Sequence, residues 1–286
     1  MDPSRIRSRS SWCALSDTLT LVAAMAALSV LADAQTCTRD YLKTYVDRYF
    51  KAVETHNISA LPTARTLRIT ENGVEIGADQ GFFKTGGKAQ FRRSLIDTER
   101  CGTLTEAVVE ETTDGVTMPI IFAVRLKVTG GQVSEIEQIV TRKGATMNFY
   151  DPSALLATKD QDWEGIAPPS QRSTREYMNE QANKYFSSFV ADPQDLPNFA
   201  TPCHRWEGGV QTTARTGNCS PKGLVLTHTH RRFPVTDVEA GITAGFVNFN
   251  QSLPDVHMFK FKDRKIVWIQ AVFGGRTQDA VWPDEQ

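Results

Sequence analysis

Two stretches of the chain, 38–55 and 174–190, place aromatic and apolar residues at helical spacing. Tyr41, Tyr45, Tyr49 and Val53 form the stripe in one, and Tyr177, Tyr185, Phe186 and Phe189 in the other. Thr38 before the first stretch and Ser173 or Thr174 before the second, each followed by an acid, read as N-caps. Pro193 and Pro197 end the second helix. The segment after each helix reads as irregular. Beyond it the pattern becomes strands at 104–112, 116–128 and 133–142, and again at 224–235, 242–250, 257–262 and 265–273. Turn signals lie between them: Thr113-Asp114-Gly115, Gly130-Gly131, Val238-Glu239-Ala240-Gly241 and Asp263-Arg264. Helix first and hairpins afterwards is an α+β order, and it excludes a parallel Rossmann-type sheet.

The two halves repeat one another. Arg39-Asp40-Tyr41 returns as Arg175-Glu176-Tyr177, Tyr49-Phe50 as Tyr185-Phe186, and Glu71-Asn72-Gly73-Val74 as Glu207-Gly208-Gly209-Val210, all at an offset of 136 residues. Farther on, Gly115 matches Gly241 at 126, and Ile136-x-x-Ile139 matches Ile266-x-x-Ile269 at 130. The expected organisation is a first unit at 35–157, a Pro-containing linker at 158–172 and a second unit at 173–286.

Composition changes the picture in one respect, the compartment. Lys and Arg number 32 against 33 Asp and Glu, a balance that excludes a polybasic nucleic-acid binder or electrostatic membrane docking. Arg5, Arg7 and Arg9 precede an apolar run at 19–31, and Ala32-Asp33-Ala34 follows. This is the pattern of a secretory signal peptide over 1–34, too short for a membrane anchor. The remaining cysteines, Cys37, Cys101, Cys203 and Cys219, are even in number and read as two disulfides, with the local pairings Cys37–Cys101 and Cys203–Cys219 favoured. Asn57, Asn218 and Asn250 each head an N-x-S/T sequon. The expectation is a secreted glycoprotein with no membrane association after signal cleavage.

A helix followed by a long curled antiparallel sheet, twice over, resembles the nuclear-transport-factor-2-like (SnoaL-like) cone. The run Arg231-Arg232-Phe233-Pro234-Val235-Thr236-Asp237-Val238-Glu239-Ala240-Gly241, with Cys203-x-x-x-Glu207-x-Gly209, resembles secreted fungal proteins that carry a tandem SnoaL-like domain of unknown function. The resemblance implies two tandem cone-shaped units, each a helix plus a curved antiparallel sheet. It implies no particular chemistry, because such cones host isomerases, cyclases, dehydratases and plain binding domains.

Candidate chemistry concentrates in the second unit, which holds His204, His228, His230 and His257. Alternation places His228, His230 and Arg232 on one strand face with Leu224 and Leu226. An imidazole oriented by Asp237 or Glu239 can move a proton, and Arg232 can stabilise an oxyanion. The competing reading pairs Arg232 with Asp237 across the hairpin. The candidate catalytic set is therefore His228, His230, Arg232 and Asp237, with Leu226, His257 and Trp268 as substrate-binding residues around one pocket. His228-x-His230 lacks a third ligand at a recognisable spacing, so neither metal nor cofactor is expected. Glu71 and Glu207 are read as acceptors for backbone N–H groups in their loops. The function expected is a cofactor-independent isomerase or cyclase acting on a small apolar metabolite in fungal secondary metabolism, or else a secreted small-molecule-binding protein. Homodimerisation is left open.

Overall fold

The computed structural model describes residues 37–145 and 149–277, so residues 1–34, expected as a signal peptide, lie outside the described residues. The first unit opens with α1 (Arg39–Glu54), whose first turn is capped by Thr38 accepting the Tyr41 N–H. Its buried face, Leu42, Tyr45, Val46, Tyr49, Phe50 and Val53, supplies the apolar stripe that drives it onto a sheet. The sheet contains β1 (Thr63–Glu71), β2 (Val74–Glu75), β3 (Gly86–Asp97), β4 (Gly102–Thr113), β5 (Val116–Thr129) and β6 (Gln132–Thr141), with a single turn of helix, α2 (Phe82–Thr85), before β3. A short α3 (Pro152–Leu156) lies in the connection. The second unit then repeats the plan with α4 (Arg175–Ser187), capped by Thr174, and β7 (Phe199–Glu207), β8 (Val210–Gln211), β9 (His228–Asp237), β10 (Ile242–Phe249), β11 (Leu253–Lys262) and β12 (Lys265–Phe273).

The two sheets have one topology: β2-β1-β6-β5-β4-β3 and β8-β7-β12-β11-β10-β9. Each is a curved, mixed sheet. The expected antiparallel meander is present, but β1 joins β6 and β7 joins β12 in parallel. The segments expected to be irregular are thus β1, β3 and β7, strands with weak alternation because they run at sheet edges or bulge. Residues 224–227, expected as strand, precede β9 and lie outside the ladder.

Pairing registers also correct the later part of the repeat. Asp97 and Gly102 bracket the β3–β4 turn as Asp237 and Ile242 bracket β9–β10. The hairpin ends Thr129–Gln132 and Lys262–Lys265 correspond, so Ile136 matches Ile269 and Gly115 has no tie to Gly241. The β4–β5 hairpin is longer than β10–β11, so the offset falls from 140 at Gly102–Ile242 to 133 at Gln132–Lys265.

Every central strand is buried on both faces, and this determines the packing. One face of the first sheet meets α1: Ala107, Val109, Phe122, Val124, Leu126 and Val140 pack with Tyr49 and Phe50. One face of the second meets α4: Val247, Phe249, Phe259 and Ile269 pack with Tyr185 and Phe186. The remaining faces meet each other, with Leu104, Val108, Ile121 and Ile139 against Ala244, Phe246, Met258 and Val272. Gly245 belongs to the helix-facing side, where a Cβ would stand 2.6 Å from the Phe186 ring, so the glycine lets α4 sit deep against its sheet.

A reciprocal clasp ties the units together. Arg39 of α1 donates to both Asp237 oxygens at 2.9 and 2.7 Å, and Arg175 of α4 donates to both Asp97 oxygens at 2.9 and 2.7 Å. Each aspartate also accepts a backbone N–H from the other unit, Asp237 from Ile96 and Asp97 from Thr236. Each closes its own turn as well, Asp237 through Ala240 and Asp97 through Arg100. The arginine repeated at the start of each helix is therefore a cross-unit anchor. Between the sheets lies a second layer of charge, where Arg232 pairs with Glu137 and stacks on Phe246 while Arg125 bonds Glu135 and Glu137.

Candidate functional site

The histidines do not share one face. β9 carries an irregularity between the Phe246–Arg232 and Asn248–Thr229 pairs, and His230 there has φ +56. An inserted residue reverses the alternation. His228 accordingly touches Phe249 on the helix-facing side, while Arg232 turns to the other sheet. Arg231 bonds the His228 ring and donates to Asn183 and Ser187 of α4. Burial, reinforced by the Arg231 charge, pushes the His228 pKa below the ordinary imidazole value. His230 is exposed and contacts Thr229.

Arg232 and Asp237, weighed either as catalytic partners or as a hairpin pair, each have other partners: Glu137 for the first and Arg39 for the second. Leu226 packs beside the α4 core, whereas Trp268 lies across the sheet, tilted against Trp163. The single pocket expected around Leu226, His228, Arg232 and Trp268 is thus divided by the sheet that carries it.

His257 is different. It lies on β11 facing α4 and is 1% exposed, with its Nδ1 2.8 Å from Asp255 Oδ1, itself fully buried. Rings of Tyr185, Phe186, Phe249, Phe259 and Phe273 stand 5.3–6.3 Å from the imidazole. His257 Nε2 and Asp255 Oδ2 are buried without a hydrogen-bond partner. Burial raises the Asp255 pKa, and the neighbouring imidazole opposes the rise. A second polar line enters the same interior: Arg205 donates to the Tyr185 hydroxyl at 3.0 Å and lies 3.6 Å from Glu207. His257 is expected as a substrate-binding residue, and Asp255 is absent from the expected set. The signal was the i, i+2 spacing of Asp255 and His257, which puts both on one side of a strand.

The repeated glutamates diverge in role. Glu71 accepts the Phe82 N–H at 2.7 Å, as expected for a loop acceptor, and binds Arg142, whereas Glu207 joins the Arg205 line. Cys203 and Cys219 form a disulfide, and Cys37 and Cys101 are also disulfide-bonded. Asn57, Asn218 and Asn250 are all exposed. No helix among the described residues is long and apolar enough to cross a membrane.

Comparison with known families matches the sequence profile of a domain of unknown function, DUF8021, over residues 35–140 and 171–273. The chain belongs to the DUF8021 family. The two matched segments are the two units described above. No curated protein matches this chain. Among solved structures, a loop-truncation variant of IdmH is similar over 35% of this chain and 91% of its own, at 13% identity and a TM-score of 0.28. A protein of unknown function with a cystatin-like fold from Xanthomonas campestris is similar over 36% of this chain and 92% of its own, at 11% identity and a TM-score of 0.28.

Proposed function

We propose that this DUF8021 protein uses the interior of its second unit to bind a small, largely apolar metabolite, and that His257 moves a proton on it in a cofactor-independent isomerisation, cyclisation or elimination. The observation that carries this reading is the buried His257–Asp255 pair with a free Nε2 among aromatic rings. With Asp255 holding Nδ1, Nε2 is the atom left to take a proton from a carbon acid or return one. The rings give an apolar ligand its contact surface and exclude water from the imidazole. The Arg205–Tyr185 pair supplies a donor-rich wall against which a developing oxyanion can be held. Paired cysteines fit work in an oxidising, secretory compartment, and secondary metabolism is the proposed source of the substrate.

The test is solvent deuterium exchange at the α-carbon of a bound cyclic ketone, 2-tetralone, followed by NMR. The wild type is expected to exchange well above the buffer rate. His257→Gln should lower the protein-dependent rate by a factor of about 10²–10⁴, the range for losing a general base. Exchange unaffected by His257→Gln sinks the catalytic reading. Saturation-transfer evidence of tetralone binding without exchange supports the alternative, a small-molecule-binding protein.

A further inference from the structure

A cavity of about 560 Å³ opens on the other side of the second sheet, between β11–β12 and linker residues 162–173. Strand alternation separates it from His257. Phe259 faces α4 with His257, while Lys260 and its cross-strand partner Trp268 face the linker. Lys260 is 8% exposed, and its ammonium donates to the carbonyls of Trp163 at 2.8 Å and Ala240 at 2.6 Å. Both acceptors are neutral, and no carboxylate among the described residues bonds this charge directly. An ammonium has three N–H donors, so one remains beyond these two bonds. In the first unit the hairpin register places Lys127 at the matching position, where it is exposed. The difference is the linker: its residues 165–173 lie beside Lys260 on the second sheet, whereas its contacts with the first sheet, through Thr158, Trp163 and Glu164, go to Arg93 and Ser94 of β3.

The walls are mixed. Trp268, Val267 and Ile166 offer apolar surface, with Ile166 49% exposed at the rim. Arg172 and His204 add polarity, while Asp162 and Asp263 disfavour a ligand of high negative charge. The volume suits a compact metabolite. The geometry points to a second ligand site here, for an organic anion with a flat aromatic body and a single acidic group, carboxylate or sulfonate, accepted by Lys260 and stacked along Trp268. Such an anion would compensate a charge that the protein leaves bonded to dipoles alone. Burial lowers the Lys260 pKa, as a desolvated and incompletely compensated charge requires.

Fluorescence titration of the full chain tests the site with two aromatic probes, the anionic 8-anilino-1-naphthalenesulfonate and the neutral N-phenyl-1-naphthylamine. The anion is expected to bind at one site and quench tryptophan emission, at least tenfold more tightly than the neutral probe. Lys260→Met should weaken the anion at least tenfold and leave the neutral probe unchanged. Because Lys260 is buried, a second variant guards against misfolding. Val267→Trp fills the half-buried wall without removing a charge and should block the anion. Equal affinity for the two probes overturns the proposal, as does anion binding that persists in Val267→Trp. Anion binding lost in His257→Gln but kept in Lys260→Met would place the probe against α4 and overturn it equally.

Discussion

Phe122 and Val124 in the first unit stand where the second has Asp255 and His257, counted back from their matching hairpins. Both pairs point toward the unit's own helix, and both are buried. The first interior is sealed by Phe82 stacked on Phe122 at 4.3 Å, with Phe50 and Tyr49 around it. The second keeps a buried imidazole–carboxylate pair whose desolvation has no structural return. Duplication lets one copy serve as scaffold while the other carries a site that costs stability. What the copies share, in contrast, is the machinery that holds them together: the reciprocal Arg39–Asp237 and Arg175–Asp97 clasp.

The clasp offers the strongest test of that equivalence. Asp97→Ala and Asp237→Ala each remove a fully buried carboxylate from a cross-unit arginine and from the backbone N–H groups it accepts, so each should cost about 3–5 kcal/mol. Denaturant unfolding should return similar losses for both and one cooperative transition in the wild type. A loss confined to one aspartate would show that the units are not held symmetrically.

The next largest effect belongs to the first unit's side of the inter-sheet layer. Glu106 is buried 3.1 Å from Arg93, yet its Oε2 and the arginine Nε form no aligned hydrogen bond. Burial, only partly opposed by Arg93, raises the Glu106 pKa to about 7 from 4.5. The folded state therefore holds this proton more tightly than the unfolded state. Its contribution is complete below about pH 4.5 and is lost as pH rises toward 7, about 3 kcal/mol in all. Unfolding free energies measured from pH 4.5 to 8 should fall through this window in the wild type and fall less in Glu106→Gln. The second unit has Phe246 at the corresponding pairing position, opposite Arg232, and contributes no such titration.

The smallest net change comes from making the second interior like the first. His257→Val alone leaves Asp255 buried and unpaired and should destabilise. Adding Asp255→Phe removes the stranded charge, and the double variant should return to within about 1 kcal/mol of wild type. A double-mutant cycle by thermal and denaturant unfolding checks this. A double variant as unstable as the sum of its parts would assign the pair a structural role and weaken the functional reading.

Much of this organisation was legible from residue order. The helices came from apolar spacing and threonine caps, the outer hairpins from turn residues, and the duplication from a constant offset. These are local properties, set by interactions within a few residues. Three features were not legible. Asp97 and Asp237 exchange partners between units, and no local rule ties residues so far apart. The bulge at His230 reverses strand phase, so counting by twos from His228 put Arg232 on the wrong side of the sheet. The central strands are buried on both faces, which erases the alternation that would tell inside from outside. The sequence by itself determined that the protein is two copies of a helix-then-sheet unit, with four of its five histidines in the second. Which polar residues became structural clasps and which became a buried acid–base pair was decided only when the two sheets closed on each other. Desolvation then selected the partners of the buried carboxylates: for Asp97 and Asp237 an arginine of the other unit, and for Asp255 the imidazole at the next position of the same strand face.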